Sequence, residues 1–184
     1  MCSPTVWGSI SIFLGFKTLS VIGTNGKRAT PPCPCGFLGH YSGKCHCTPD
    51  QVTRYRNRIS GPLLDRIDLH IEVPAVPEKD LGLRHAGEPS AAIRERVTAA
   101  RERQLARQGK PNAHLSVKEV GEHCTPEADA DRLARKAISS LGLSARAYHR
   151  ILKVARTVAD LTGASTISTT HVAEAVQYRR YERV

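Results

Sequence analysis

The chain has 184 residues, room for one compact domain and a smaller appendage, which excludes a large two-domain enzyme. Its 27 Lys and Arg against 17 Asp and Glu leave a formal charge of +10, favouring polyanionic partners such as nucleic acid or nucleotide phosphate. Aromatic residues make up only 5%, too few for a stacking platform that threads single strands.

Residues 1–32 alternate Gly, Ser, Thr and Pro with short apolar runs and hold no helical period, so one or two strands are expected there. The apolar run Val6 to Phe16 is too short to cross a bilayer, and no Lys or Arg precedes it as a signal peptide requires. The expectation is a cytoplasmic chain with no membrane partner. Four of the six cysteines crowd into Cys33, Cys35, Cys45 and Cys47, while Cys2 and Cys124 stand apart. Crowding of this kind points to metal binding in a reducing compartment rather than to a disulfide framework.

Thr48-Pro49-Asp50-Gln51 reads as a helix start, with Thr at the cap, Pro at the first helical position and Gln three residues on. That helix is expected to run to about Ile59, stopped by Ser60-Gly61-Pro62. Ile67, Leu69, Ile71 and Val73 alternate with Asp68, His70 and Glu72, the signature of a strand with one buried face. A polar linker follows, and from Pro89 the pattern turns helical: Ala91 to Gln108, Val117 to His123, and Pro126 to Leu141 with Thr125 as its cap. In Ser144 to Thr162 the residues Leu143, Ala147, Ile151, Val154, Val158 and Leu161 recur at threes and fours, predicting one core-facing stripe. A last helix is expected from Thr169 to about Tyr181, with Val172 and Val176 one turn apart. The architecture is therefore a small α/β portion followed by an all-helical domain, divided as 1–32, 33–80 and 89–184.

Three stretches carry a family resemblance: Cys33-Pro34-Cys35-Gly36 through Cys45-His46-Cys47-Thr48-Pro49; Ile59-Ser60-Gly61-Pro62-Leu63-Leu64-Asp65-Arg66-Ile67-Asp68-Leu69-His70; and Leu143-Ser144-Ala145-Arg146-Ala147-Tyr148 with Ala173-Glu174-Ala175-Val176-Gln177-Tyr178-Arg179. In order and spacing they resemble the C-terminal part of the Mg-chelatase-like AAA+ ATPases, the ComM/YifB group, from about Pro32 to the end, whereas residues 1–32 do not fit. The resemblance implies an α/β remnant of an AAA+ core followed by a helical lid domain. For the intact family it implies ATP and Mg²⁺ as cofactors, a hexameric homo-oligomeric ring, and DNA as a substrate of its ComM members.

By the same resemblance Arg66 corresponds to the arginine finger that reaches a neighbouring subunit's nucleotide. A permanently protonated planar fork suits that task, because it can pair two oxygens of the transferring phosphoryl group. The alternative is a local salt-bridged turn, Asp65-Arg66-Ile67-Asp68. Arg146 corresponds to sensor 2, which touches the nucleotide of its own subunit. Arg150 and Lys153 continue a basic flank that reads as the helix's solvated side. The set Cys33, Cys35, Cys45 and Cys47 suits tetrahedral, structural Zn²⁺, with His40 and His46 as substitutes; reduced cysteines packing a small loop are the alternative.

A phosphate-binding loop of the form G-x-x-x-x-G-K-[ST] is not found. Gly26-Lys27 has Val21 at the first glycine position and Arg28 after it, Gly43-Lys44 is followed by Cys45, and Gly109-Lys110 by Pro111. No apolar strand ends in an Asp-Glu pair, and Pro31 stands where the family places its sensor-1 Asn. The sequence therefore predicts a chain inactive alone as an ATPase, and a truncated or frame-disrupted product whose first 32 residues replace a lost core. Two competing readings are a basic zinc module that binds nucleic acid, and a non-functional product whose strand at Ile67 has lost its partners and exposes a sheet edge.

Overall fold

The structure, a computed structural model, describes residues 18–22, 26–71 and 87–179; side chains are described for 31–60, 63–64, 66–71 and 87–179. The turn at Gly23 to Asn25, the strand end at Glu72 and Val73, and everything beyond 179 lie outside the described residues; the last helix, expected to reach about Tyr181, ends at Gln177.

Three strands form one sheet in the order β2-β1-β3, from β1 (Thr18–Ile22), β2 (Gly26–Thr30) and β3 (Ile67–Ile71). Both pairings are antiparallel: Leu19 faces Ala29 on one side and Ile71 on the other. The expectation that β3 has lost its partners is thus corrected. The segment that departs from the family pattern supplies β1, whose backbone groups pair with those of β3.

Helix α1 (Pro49–Arg56) starts as its sequence dictates, with the Thr48 hydroxyl accepting from Gln51 N–H and the Gln51 side chain accepting from Thr48 N–H at 3.0 Å. It stops three residues earlier than expected. Pro62 does not merely break a helix but starts one, α2 (Gly61–Arg66), because a proline in the first turn sacrifices only an N–H with no helical acceptor. Leu64 and Ile67 are buried on either side of the exposed Arg66.

The remaining elements build a helical bundle: α3 (Ser90–Gln108), a 3-10 turn (Asn112–His114), α4 (Val117–His123), α5 (Ala128–Ser140), α6 (Ala145–Thr162) and α7 (Thr169–Gln177). Helix α4 carries a second capping box, Ser116 with Glu119. The expected Thr125 cap for α5 is corrected to Glu127, because Pro126 is drawn into a parallel bridge with Ile167.

Helix α6 is the spine, packed against α3, α4, α5 and α7. Its buried face is Ala147, Ile151, Leu152, Ala155, Val158 and Ala159. Leu161, expected in the core, is 43% exposed, and the small Ala155 and Ala159 take the inner line instead. Small residues there let neighbouring helices approach closely, which the count of large apolar side chains does not reveal.

One charged cluster lies inside the bundle. Asp160 is 1% exposed and receives Arg107 at 2.7 and 2.9 Å, Arg156 Nε at 3.1 Å and the Asn112 amide at 2.9 Å. Burial pushes its carboxyl up, yet the bonds from Arg107 and Asn112 and the charge of Arg156 outweigh that and hold it below the usual carboxylate range. Arg156 also donates to the carbonyls of Ala164 and Ser165, closing the turn between α6 and α7.

Candidate functional site

Arg66 is the last residue of α2, and its outward position follows from its neighbours, since Leu64 and Ile67 anchor the turn inward. Arg146 sits in the first turn of α6, where the Ser144 hydroxyl caps Ala147 N–H and the fully buried Ala147 fixes the helix's rotation. Both guanidiniums are exposed, and neither forms an ion pair or hydrogen bond among the described residues. Eighty residues apart in the chain, they line the same cleft, about 500 Å³ in volume, together with His149, Arg150 and Lys153 and the apolar Leu115, Val117 and Val120.

The other cations of that cleft are committed. Arg150 is ion-paired to Asp68 on β3, so the partner of Asp68 is on α6 and is not its near neighbour Arg66; the other carboxylate of the local-turn alternative, Asp65, has its side chain outside the described residues. Lys153 donates to Leu115 O at 2.5 Å and Ala113 O at 3.4 Å, and burial holds its ammonium below the usual lysine range against the pull of Asp68. The basic flank of α6 is therefore not a uniformly solvated face. His149 was not singled out from sequence; its Nδ1 is buried and has no hydrogen-bond partner among the described residues.

The second constellation is the cysteine loop. It leaves β2, turns at Gly36, whose φ of 82° lies in the left-handed region that glycine tolerates, and re-enters α1 directly after Cys47. Cys33 is fully buried, Cys45 and Cys47 are partly buried, and Cys35 is exposed. Its Sγ lies 3.3 Å from that of Cys35 and 3.8 Å from that of Cys45, and Cys35 to Cys45 is 3.6 Å. All four Sγ atoms fall within 4.8 Å of one another, and all four are free thiols. With a zinc–sulfur bond of about 2.3 Å, a tetrahedron requires sulfur–sulfur edges of about 3.8 Å, so the loop is already gathered to that size.

Electrostatics point the same way. The Phe37 N–H lowers Cys35 to about 6, while the neighbouring thiols drive Cys47 up to about 12 in spite of an N–H from Cys35, and raise Cys45 despite one from Cys47. Thiolates this close repel one another, and a bound cation would relieve that repulsion. His40 is turned away from the thiols, stacking on Tyr41 and accepting from Ser42 N–H at 2.9 Å; neither it nor His46 joins the group.

Comparison with known proteins gives two family matches along the chain. The family described as "Magnesium chelatase, subunit ChlI C-terminal" matches residues 87–179, and "Magnesium chelatase, subunit ChlI" matches residues 27–81. The second match begins within β2, a few residues before the point where the motifs first fit. The competence protein ComM of Haemophilus influenzae is 49% identical over 148 residues, covering 79% of this chain and 29% of that protein. The uncharacterized protein YifB of Salmonella typhimurium is 48% identical over 149 residues, and that of Escherichia coli 46% over 148, each again covering 79% of this chain and 29% of the relative. The chain thus spans under a third of the length of the curated relatives it matches. Among the described residues no helix is long and apolar enough to cross a membrane.

Proposed function

The chain belongs to the magnesium chelatase ChlI family, in its ComM/YifB group, and from that premise we propose that it presents Arg66 and Arg146 together to the phosphates of ATP held by an adjoining ring subunit that carries a phosphate-binding loop. The observation that carries this reading is the common cleft: two exposed guanidiniums without a partner among the described residues meet there, and the other charged groups lining it are cations as well. A cleft of one sign that contains no phosphate-binding loop of its own needs its anion delivered from elsewhere. Arg66 then acts as the finger that pairs oxygens of the transferring phosphoryl group, and Arg146 as the sensor-2 arginine. Their shared cleft supports action on one nucleotide, in place of a division between the chain's own nucleotide and its neighbour's. Mg²⁺ would accompany the nucleotide and neutralise part of its phosphate charge.

Two measurements test this. The purified chain is expected to show no ATP turnover above background. Inorganic triphosphate, titrated calorimetrically, is expected to bind weakly, and Arg66→Ala and Arg146→Ala each to reduce that affinity about tenfold or more, the scale of a lost charged hydrogen bond. Unchanged affinity in both variants would remove the reading.

The cysteine loop supports a separate proposal, a structural zinc held by Cys33, Cys35, Cys45 and Cys47, which fixes the loop ahead of α1 and leaves no position open for chemistry. One zinc per chain by atomic absorption, lost on Cys33→Ser, is the expected result; metal-free protein from zinc-supplemented expression is the opposite one. DNA is the polyanion that the charge of +10 fits, with affinity falling steeply as salt rises. Gel-shift series across salt concentration decide it, and no retardation at the lowest salt dismisses it.

A further inference from the structure

Arg150 stands one turn after Arg146 on α6, and Asp68 lies on β3 two residues after Arg66, the last residue of α2, so the ion pair between them joins the helix that carries Arg146 to the strand that directly follows Arg66. Side-chain exposures of 32% and 29% put this pair between surface and interior, where solvent screens it less than an open surface bridge. It does not stand alone. Arg179, buried at the end of α7, donates to Ile67 O, and His70 N–H donates to Tyr178 O at 2.7 Å. Three residues of one short strand, Ile67, Asp68 and His70, are thereby tied to the helical bundle.

We propose that Arg150 is a positioning residue, not a phosphate ligand: through Asp68 it clasps α6 to β3, so that Arg66 and Arg146 reach the phosphates as a pre-set pair. The inference rests on the phosphate reading above. A guanidinium pair gains from being held in register before its ligand arrives, because the ordering is then not charged against binding. With its fork already occupied by a carboxylate, Arg150 offers the incoming anion less than either uncommitted neighbour.

The sign of one substitution separates clasp from ligand. Asp68→Asn removes a negative charge beside the cleft and releases Arg150; were Arg150 a ligand, or the cleft only a field of positive charge, inorganic triphosphate would bind more tightly. The clasp requires the reverse, a three- to tenfold loss of triphosphate affinity in the full chain, matched by a similar loss in Arg150→Ala. The reversed pair Asp68→Arg with Arg150→Asp is expected to return affinity to within about threefold of the parent, with urea denaturation confirming that each variant is folded. Tighter or unchanged binding in Asp68→Asn, or failure of the reversed pair to restore it, overturns the proposal. The two readings fail apart: if Arg66→Ala and Arg146→Ala change nothing, the phosphate site itself is wrong, whereas if they weaken binding and Asp68→Asn does not, only the clasp is.

Discussion

Helix α6 carries arginines of two opposite kinds. At its far end Arg156 is 4% exposed and saturated, bonded to Asp160 and to two carbonyls, in a cluster that Arg107 and Asn112 complete. At its start Arg146 is exposed and bonded to nothing described, facing a cleft it shares with Arg66. A guanidinium that the protein needs for its own fold is surrounded by acceptors, since a buried charge without them is costly. One left without acceptors adds nothing to folding, and that is the condition for spending its binding capacity on a ligand.

The sharpest way to break this contrast is to remove the acceptor. Asp160→Ala strands Arg156 inside the bundle and is expected to cost about 3–5 kcal/mol of stability, read by urea denaturation; a cost under about 1 kcal/mol would mean that water reaches the cluster. Acid sharpens the same point. The folded-state carboxyl of Asp160 is lowered, so its stabilisation is whole above the ordinary carboxyl value of about 3.9 and is lost as pH falls through the folded value. Asp131 is lowered by its bonds from Tyr148 and Arg135, and Glu119 falls to about 2 through its bond to Lys110, so both add to the acid limb. The measured quantity is therefore the difference between parent and Asp160→Asn, which is expected to shrink as the pH drops below 4. A difference independent of pH would contradict the ionised assignment.

Smaller effects test the cleft side. Ser116→Ala deletes one half of the α4 capping box beside the cleft and is expected to cost about 1 kcal/mol. Arg146→Ala, by contrast, is expected to change stability by no more than about 0.5 kcal/mol, because no partner among the described residues is lost. A destabilisation of about 2 kcal/mol would place Arg146 with the structural arginines and dissolve the comparison.

The parts of this molecule legible in its sequence are those decided within a few residues. Thr48 with Gln51 reads as a helix start and the structure forms that box; Ser116 with Glu119, a pattern of the same spacing that went unread, forms another. The span of α6 followed from its three-and-four stripe, but the stripe's phase did not, because Leu161 is left at the surface while Ala155 and Ala159 are packed. Alanine is silent in such a pattern although it is where helices touch. The thiol group was readable because its four members lie within fifteen residues. The cleft was not: Arg66 and Arg146 are each visible as motif residues, but their meeting depends on long-range ties such as the pairing of Asp68 with Arg150 across 82 positions. The Asp160 cluster was equally hidden, its partners 48 and 53 residues away, with the helix's one acidic residue, a turn after Arg156, as the local clue.

The strand order carries one more consequence. With β1 between its neighbours and β3 held by the bundle through the Tyr178 carbonyl, the rim of the sheet left open among the described residues is that of β2. That strand, Gly26–Thr30, contains Lys27 and Arg28 side by side. A second molecule laying its own β2 alongside in the same sense would bring like charges together, so the rim resists the edge-to-edge stacking from which aggregates grow, and concentrated solutions at low ionic strength should stay clearer than those in which salt screens these two cations.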